Sequence, residues 1–388
     1  MSAPRERTKG RGFATRAIHA GEGADPLTHA HNTPIYATAT FAFDTAAEKE
    51  DAVDRAMAGD PTAYFYSRTG NPTTRALEEK LASLDGTEDA IVAASGMACV
   101  SSTLLANLGS GDHLVVGDEL FVVTRILLED DFPRRGIGVT PVDMTDLAAV
   151  EAAITPATRV LFFETATNPR LRVADIDALA AVGHRHGLVV IADNTFLGPA
   201  LLRPIEHGAD MVVHAATKWL SGHGDAVSGA VTGPAALLRP IRKQVDMLGQ
   251  AASPFASWLV LRGVRSLPLR SRQASANALA LAQFLEAQEK VEWVRYPGLA
   301  SHPDHAVAER LIDGPGGGML SFQVRGGIEG MAAFTDHLAL CDVGVSLGDV
   351  FTLVYPNPKR GGLIRVSVGC EDLDDLVEDF ELGLSFVG

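Results

Sequence analysis

The 388-residue sequence has three cysteines, few lysines and no long apolar run. Cys99, Cys341 and Cys370 lie far apart without CxxC spacing, which argues against a disulfide framework or a zinc site. We therefore expect reduced thiols, no bound metal and a cytoplasmic location. No apolar run approaches the about 20 residues that a membrane-spanning helix needs, and no apolar segment follows the basic N-terminus as in a secretory signal. The formal net charge of −15 argues against nucleic acid and anionic membranes as partners.

Lysine is scarce, because only seven of the 33 basic residues are lysines. Lys218 comes five residues after the end of the apolar run 211–213 and lies among small and apolar residues in HAATKWLSGHG (214–224). Burying a lysine is costly unless the amine is paired or used. Once desolvated, its neutral amine can react with a carbonyl group. An exposed lysine without a special role fits the same residues, so Lys218 alone decides nothing.

The chain divides into three parts, and its length predicts two or three domains. Residues 1–60 show no sustained periodicity of apolar side chains, yet the segment is too apolar for disorder. We predict that residues 1–69 form an arm that contacts a neighbouring subunit. In residues 70–265, apolar runs alternate with amphipathic stretches, which predicts an α/β domain with a mostly parallel sheet. Residues 266–388 predict a smaller α+β domain with loops at 314–318 and 356–362. The strands predicted in the large domain are 90–94, 114–117, 160–163, 188–192 and 211–213.

Asp193 closes the apolar run 188–192, at the strand end where α/β sheets bind ligands. A helix cap or a loop ion pair is the other interpretation of this residue. Asp193 and Lys218 are 25 residues apart, about one βα step. An aspartate that faces a pyridinium nitrogen and a lysine that faces an aldehyde are the pair that pyridoxal phosphate (PLP) requires.

Two segments are candidates for phosphate binding. Gly96 and Met97 follow the strand 90–94 and open a helical stretch, whose backbone N–H groups form a natural anion site. The segment YSRTGNPT (66–73) adds the phenol of Tyr66 and the guanidinium of Arg68 before another helix. Taken alone, Arg68 also fits a surface ion pair.

In this arrangement the chain resembles the Cys/Met-metabolism PLP-dependent enzymes, from about residue 15 to residue 386. That family includes cystathionine γ-synthase, cystathionine γ-lyase, methionine γ-lyase and O-acetylhomoserine sulfhydrylase, and segments 64–72 and 346–349 look most like the last two. The resemblance implies an α/β, aspartate-aminotransferase-like fold (fold type I), PLP as cofactor, and a homotetramer whose active sites are shared between subunits. The motifs that carry it are YSRTGNPT (66–73), SGM (95–97), ETATNP (164–169), ADNTF (192–196), ATKWLSGHGD (216–225) and IRVSVG (364–369).

The resemblance also implies a role for each matching residue. Lys218 would bind the cofactor aldehyde and move protons, while Asp193 would pair with the pyridine nitrogen. Arg365 would hold the substrate α-carboxylate, with Ser346 beside it. The remaining residues would surround the cofactor: Asn168 at its 3-oxygen, Gly96, Met97 and Thr217 at its phosphate, Phe121 over its ring, and Tyr66 and Arg68 reaching the phosphate from a neighbouring subunit, with Tyr66 also near the substrate.

The chain departs from the family pattern at the residue that stacks on the cofactor. The family normally has tyrosine there, and this sequence has Phe121. Phenylalanine can stack but cannot carry a proton. We therefore expect a leaving group that needs no proton, such as a carboxylate, phosphate or halide, unless another residue or water supplies one.

Three further departures concern the same site. Val123 replaces the cysteine of methionine γ-lyases, which argues against methionine as the physiological substrate. Ala215 replaces a common serine, which removes a phosphate hydrogen bond worth roughly 1 kcal/mol. The loop between Tyr355 and Arg365 is short, so we expect a reshaped substrate pocket.

The predicted function is PLP-dependent γ-elimination from a γ-substituted L-α-amino acid. The alternatives within the family are γ-replacement, as in O-acyl-homoserine sulfhydrylases or cystathionine γ-synthase, methionine γ-lyase activity and cystathionine β-lyase activity. A dinucleotide-binding oxidoreductase is disfavoured, since Gly222 and Gly224 lack a third glycine at the right spacing. A fold that has lost its activity is also an open interpretation.

Overall fold

Two β-sheets organise residues 8–388, which are the residues that this computed structural model describes. The N-terminal and large-sheet elements are α1 (Phe13–His19), α2 (Ala46–Met57), α3 (Pro72–Asp85), β1 (Asp89–Ala93), α4 (Gly96–Asn107), β2 (His113–Gly117), α5 (Val122–Ile126), β3 (Gly138–Val142), α6 (Leu147–Ala153), β4 (Thr158–Glu164), α7 (Ile176–Arg185), β5 (Val189–Asp193), β6 (Met211–His214), β7 (Gly229–Gly233), α8 (Ala235–Met247) and α9 (Pro254–Val264). The elements that follow are α10 (Leu267–Glu286), β8 (Val291–Arg295), α11 (His305–Leu311), β9 (Met319–Val324), α12 (Gly327–Thr335), β10 (Asp342–Val343), β11 (Leu353–Asn357), β12 (Leu363–Ser367) and α13 (Leu373–Ser385).

The large sheet has seven strands in the order β1-β7-β6-β5-β4-β2-β3. The five strands from β6 to β3 are parallel, whereas β7 runs antiparallel to both β6 and β1. Alternate side chains of β4 enter the cores on opposite faces, Phe162 on one and Phe163 on the other. An apolar run buried on both faces is what a parallel sheet covered by helices requires, so the predicted α/β class is confirmed.

Local sequence signals fix the helices that border this sheet. The side chain of Asn71 caps α3 by accepting the Thr73 N–H, Pro72 opens the helix, and Gly86 ends it in the left-handed conformation (φ 77°). The side chain of Ser95 caps α4 by accepting the Ala98 N–H at 3.1 Å. Both helices therefore begin where the chain leaves a turn, and α4 begins directly after β1.

The C-terminal part contains a sheet of five strands in the order β10-β11-β12-β9-β8. Its core includes Phe322, Phe334 and Phe380, whose rings meet edge-to-face at centroid distances of 5.3 Å from Phe334 to each of the other two. This α+β arrangement places β12, which carries Arg365, beside the large sheet's ligand edge.

The prediction that residues 1–60 are irregular is wrong, because α1 and α2 lie there. Helix α2 buries only Ala52, and its start is capped by side chains. Thr45 Oγ1 accepts the Glu48 N–H, and the Glu48 carboxylate accepts the Asp44 N–H, both at 3.2 Å. The first seven residues of the predicted arm lie outside the described residues. Within the described residues, the arm contacts its own chain, since Trp258 Nε1 donates to the Thr33 carbonyl at 3.1 Å.

Strands β3 and β7 were not predicted, and the predicted loop 356–362 is partly strand. Strand β3 contains Pro141 and forms an edge of the sheet, where a missing N–H costs nothing. Strand β7 begins and ends in glycine. Pro356 and Asn357 complete β11, because the short β10 ends before it reaches Pro356 and leaves that side without a partner strand.

Candidate active site

A cavity of about 240 Å³ opens at the carboxyl ends of β4, β5 and β6. It lies where ligands bind in open α/β sheets. Eight of the site residues predicted from the sequence line it: Gly96, Met97, Phe121, Asn168, Asp193, Thr217, Lys218 and Arg365. These residues come from segments spread over some 270 positions of the chain, so the fold brings together what the sequence only suggested.

Lys218 follows β6, and its Nζ donates to Ser346 Oγ at 2.9 Å. Among the described residues, no carboxylate forms an ion pair with this amine. Burial lowers the pKa of Lys218, and the nearby positive charge of Arg365 lowers it further. A desolvated amine without a counter-ion is more easily deprotonated and is suited to react with an aldehyde.

Two buried carboxyl groups lie side by side at the strand ends, since Glu164 of β4 pairs in register with Asp193 of β5. Asp193 accepts hydrogen bonds from the Thr195 N–H at 3.0 Å and the Thr195 hydroxyl at 2.5 Å. Glu164 Oε1 accepts the Phe121 N–H at 2.6 Å. Burial raises the pKa of both carboxyl groups, and their mutual repulsion raises that of Glu164 further.

Arg365 on β12 is almost fully buried and is aligned by its neighbours. Its Nη1 donates to Asn168 Oδ1 at 3.1 Å, and its Nη2 donates to the Ser346 carbonyl at 3.1 Å. The Tyr355 ring lies 4.9 Å from the guanidinium carbon. Nε is buried without a hydrogen-bond partner among the described residues. Burial lowers the pKa of Arg365 to about 10, so a carboxylate ligand would both satisfy this donor and compensate the charge.

The start of α4 is shaped to receive an anion. Because Ser95 caps Ala98, the N–H groups of Gly96 and Met97 are left for a ligand. A Cβ atom on Gly96 would lie 2.8 Å from Ala215 Cβ, and one on Gly229 would lie 2.2 Å from the Ser95 carbonyl oxygen. These contacts hold the backbone close and leave no space for larger residues. A helix N-terminus, a lysine and a buried aspartate in one cavity therefore fit the phosphate, aldehyde and ring nitrogen of PLP.

Thr217 and Phe121 also line the cavity. The Thr217 hydroxyl donates to the Ser228 carbonyl at 3.2 Å and accepts the Ser228 N–H at 2.9 Å. Phe121 is the residue before α5, and 42% of its surface is exposed. Its backbone N–H donates to Glu164 Oε1 and its carbonyl accepts the Arg125 N–H at 3.0 Å, so the backbone of Phe121 is fixed where its side chain borders the cavity.

Tyr66 and Arg68 do not line this cavity. They border a separate groove with residues of α2, and Arg68 Nε pairs with Asp246 Oδ1 at 2.8 Å. The Arg68 guanidinium also stacks on the Tyr66 ring at 5.3 Å. Within one chain these two side chains therefore stay away from Lys218, and their predicted reach into a neighbouring subunit's site stays a prediction.

Sequence reasoning did not assign roles to several polar residues at the site. Glu164 ends a buried strand just as Asp193 does, so the same strand-end argument applied to the sequence would have found it. His214 ends β6, but its partner Asp85 is 129 residues away and no sequence spacing connects them. The contact of Ser346 with Lys218 was likewise not predictable from the sequence, although the residue itself was named.

A lysine and an aspartate at neighbouring strand ends, beside a helix N-terminus that can bind phosphate, define a PLP-dependent enzyme. The sequence matches the Cys/Met metabolism PLP-dependent enzyme family over residues 14–385. It is 43% identical to L-methionine gamma-lyase of Pseudomonas putida over 393 residues, which cover 96% of this chain and 97% of that protein. It is 38% identical to O-succinylhomoserine sulfhydrylase of Pseudomonas aeruginosa over 393 residues, covering 97% and 96% of the two chains.

The crystal structure of cystathionine gamma-lyase from Lactobacillus plantarum complexed with L-serine is similar to this structure with a TM-score of 0.90 and 34% sequence identity. The match covers 97% of this chain and 99% of that one. The chain therefore belongs to the Cys/Met metabolism PLP-dependent enzyme family, and its cofactor is PLP. The predicted family and fold type I are confirmed. Among residues 8–388, no helix is long and apolar enough to cross a membrane.

Proposed function

We propose that the protein catalyses γ-elimination from a γ-substituted L-α-amino acid whose leaving group departs as an anion without taking a proton. The observation that carries this proposal is Phe121 at the cavity, where a phenol would be the proton donor. The ionisable side chains that line the cavity are Glu164, Asp193, Lys218 and Arg365. No tyrosine, histidine or cysteine is among the described residues that line it.

The residues of the cavity divide the work of this reaction. PLP, when bound, withdraws electrons from the substrate's α-carbon. The Lys218 amine would remove the proton from Cα, pass it to carbon C4′ of the bound cofactor and then remove one from Cβ, while Arg365 would hold the α-carboxylate in a bidentate fork. Asp193 would compensate the positive charge of the cofactor's ring nitrogen, and Phe121 would cover the ring. Asn168 both contacts Arg365 and faces the cavity, which links the substrate and cofactor sides.

The nature of the leaving group decides whether the missing phenol matters. When the bond from Cγ to an ester oxygen breaks, the electron pair leaves on a carboxylate, whose conjugate acid has a pKa near 4. A thiolate is far more basic, since thiols have pKa values of about 8.5 or above. A thiolate that leaves a buried cavity therefore benefits from a proton donor, whereas a carboxylate, phosphate or halide does not.

A second candidate function is γ-replacement. Here a nucleophile such as a thiol adds to Cγ of the unsaturated product before it is hydrolysed to a 2-oxoacid and ammonia. The similarity to O-succinylhomoserine sulfhydrylase supports this alternative. The similarity to L-methionine gamma-lyase supports elimination but from a thioether, which the Phe121 argument disfavours. A β-lyase of the cystathionine type needs only Cα deprotonation and yields pyruvate.

The proposal includes the assembly and the location. We place the enzyme in the cytoplasm as a homotetramer, a dimer of dimers, in which Tyr66 and Arg68 reach the PLP phosphate of a neighbouring subunit. Their groove borders α2 and is open to such a contact. We also propose an arm of residues 1–69, a PLP-binding domain of 70–265 and a C-terminal domain of 266–388.

The experiment compares five substrates with the purified holoenzyme: O-acetyl-homoserine, O-succinyl-homoserine, a γ-halo amino acid, methionine and cystathionine. Mass spectrometry identifies the products, since 2-oxobutanoate marks γ-elimination and pyruvate marks β-elimination. Adding a thiol tests replacement by the appearance of a thioether. We expect consumption of the esters and the halide, and little of the two thioethers. Pyruvate as the main product would overturn the proposal.

The variant Phe121→Tyr tests the leaving-group argument directly. Restoring the phenol should raise kcat/KM for methionine and cystathionine at least about tenfold, because general acid catalysis is worth a factor of 10² or more. It should leave the ester and halide substrates within about twofold. Phe255→Tyr adds a phenol at an exposed site and is the matched control. Equal gains for all substrates in Phe121→Tyr would contradict the argument.

A further inference from the structure

Asp193 lies between two buried polar neighbours that the proposed reaction does not use. Glu164 flanks it from β4, and His214 lies on β6 at the other side. All three side chains are at the carboxyl ends of their strands. Two carboxyl groups and one imidazole buried together raise the question of which group carries charge, because two adjacent buried carboxylates repel each other strongly.

His214 is bound to a carboxylate that has no other role in the site. Its Nε2 lies 2.9 Å from Asp85 Oδ2, and both side chains are fully buried. Asp85 Oδ2 also accepts the Thr232 hydroxyl at 2.8 Å, whereas Asp85 Oδ1 and His214 Nδ1 are buried without a hydrogen-bond partner among the described residues. Burial alone would lower the pKa of His214, but the Asp85 and Asp193 carboxylates raise it overall. The two carboxylates thus favour the protonated imidazole, which lies behind Asp193.

Glu164 is the carboxyl group of the pair that lacks stabilisation of its charge. Its Oε1 accepts the Phe121 N–H, but its Oε2 is buried without a partner among the described residues. Asp193, in contrast, accepts two hydrogen bonds from Thr195 and faces the His214 cation. An unpartnered buried oxygen is far less costly as part of a neutral acid than of a carboxylate.

We propose that the His214–Asp85 pair on one side and the protonated Glu164 on the other fix the single negative charge of this part of the cavity on Asp193. The remaining ionisable groups that face the two carboxyls are the buried thiol of Cys99 on α4 and the carboxylate of Glu119 beside Glu164. His214, Asp85 and Glu164 are thus positioning residues, which act on the cofactor through Asp193. The inference rests on the proposed pairing of Asp193 with the ring nitrogen.

The arrangement matches charges where PLP binds. A protonated ring nitrogen brings one positive charge into the buried site, and a charged Asp193 balances it. If Glu164 were ionised as well, a second negative charge would be buried without a partner. If the His214 cation were removed, the site would become more negative, so Asp193 would hold its charge less firmly and the ring nitrogen would keep its proton to a higher pH.

The test loads the apoprotein with PLP that carries ¹⁵N in its ring and follows the ¹⁵N chemical shift against pH, which reports protonation of that nitrogen directly. The variants are His214→Gln, Glu164→Gln and the double variant Asp85→Asn with His214→Gln. The double variant leaves no buried charge unpaired, so it serves if His214→Gln alone folds poorly. We expect both His214 variants to raise the midpoint, by about one pH unit or more in His214→Gln and by less in the double variant, because a positive charge next to Asp193 is lost.

Glu164→Gln is the matched control, since glutamine has the shape of the neutral acid. It should leave the ¹⁵N midpoint unchanged, because no charge is removed. The inference is overturned if the His214 variants keep the wild-type midpoint, or if Glu164→Gln lowers it, as loss of a negative charge at Glu164 would do. The substrate comparison is independent of this readout, so failure of the γ-elimination proposal and failure of the charge assignment are told apart.

Discussion

Lys80 is buried and Lys218 is partly buried, and the two lysines differ in what surrounds the amine. Lys80 on α3 is fully buried, and its Nζ donates to Glu22 at 2.6 Å and to the carbonyl oxygens of Ala17 and Ile18. The Lys218 amine, in contrast, donates only to the Ser346 hydroxyl among the described residues. Lys80 ties the N-terminal arm to α3, whereas Lys218 faces an open cavity.

The comparison shows that burial by itself does not mark a reactive lysine. Burial lowers the pKa of Lys80 to about 8, yet Glu22 opposes this shift and the amine has no access to a ligand. Lys218 has no carboxylate of its own, and the neighbouring charge of Arg365 adds to the effect of burial. A paired amine stabilises the fold, and an unpaired amine at a cavity is available for chemistry.

Removing each amine in turn should separate the catalytic role of Lys218 from the structural role of Lys80, and the loss of activity expected here is the largest effect of these predictions. Lys218→Ala should abolish the visible absorption band of the holoenzyme and lower activity by about a thousandfold or more, because the group that binds the aldehyde and moves protons is lost. Lys80→Ala, measured below its melting temperature, should keep the band. Absorption spectroscopy after PLP addition provides the measurement. An intact band in Lys218→Ala would contradict the role of Lys218 in binding the cofactor aldehyde.

The stability of the fold should respond in the opposite order. Lys80→Met leaves Glu22 buried with Arg265 as its remaining partner, so we expect a loss of about 3 kcal/mol in the free energy of unfolding. Lys49→Ala, which breaks an exposed pair with Glu50, is the control and should change it by less than about 0.5 kcal/mol. Urea denaturation measures both, and a loss no larger than the control's would argue against a structural role for Lys80.

The apoprotein allows a test of the amine's pKa before any cofactor is bound. Because a lowered pKa means a larger neutral fraction at a given pH, Lys218 should react with an amine-directed acylating reagent at lower pH than a free lysine peptide does. Lys80 should stay unlabelled in the folded protein, since no part of its side chain is accessible. Peptide mass spectrometry over a pH series reports both sites. Labelling of Lys218 only at the pH of the free peptide contradicts the environment described.

The smallest expected effect concerns the contact that aligns Lys218. Ser346→Ala removes the hydroxyl that accepts from the amine at 2.9 Å. One such hydrogen bond is worth about 1 kcal/mol, which corresponds to roughly fivefold in kcat. Ser385→Ala, which removes a hydroxyl near the C-terminus, is the control. Steady-state kinetics distinguish the two, and an unchanged kcat in Ser346→Ala would assign the alignment to packing alone.

The sheet was predictable where burial on both faces produced uninterrupted apolar runs, as in β4 and β5. It was not predictable for β7, where glycines at both ends and an antiparallel course remove that signal. The helix α2 escaped prediction because it is mostly exposed and depends on its cap rather than on an apolar face. Periodicity detects what packs against a core, and it does not detect elements that are stabilised locally.

The site residues that were predictable from the sequence are those that follow a recognisable apolar strand. Lys218 and Asp193 each follow an apolar strand, so their position was readable from the sequence, whereas the His214–Asp85 pair depends on a long-range contact. Lys80 lies in a polar stretch, EEKLAS (78–83), that gives no sign of burial. Tyr66 and Arg68 lie outside the cavity of their own chain, and their predicted role requires a second subunit.

The central claim is that a cavity with Phe121 in place of a phenol favours a leaving group that needs no proton. A competition assay tests it most directly: equal concentrations of O-acetyl-homoserine and methionine in one reaction with the wild-type holoenzyme, with consumption of each followed by mass spectrometry. The ratio of rates gives the ratio of the two kcat/KM values. We predict that the ester is consumed at least about tenfold faster. Preferential consumption of methionine would contradict the account.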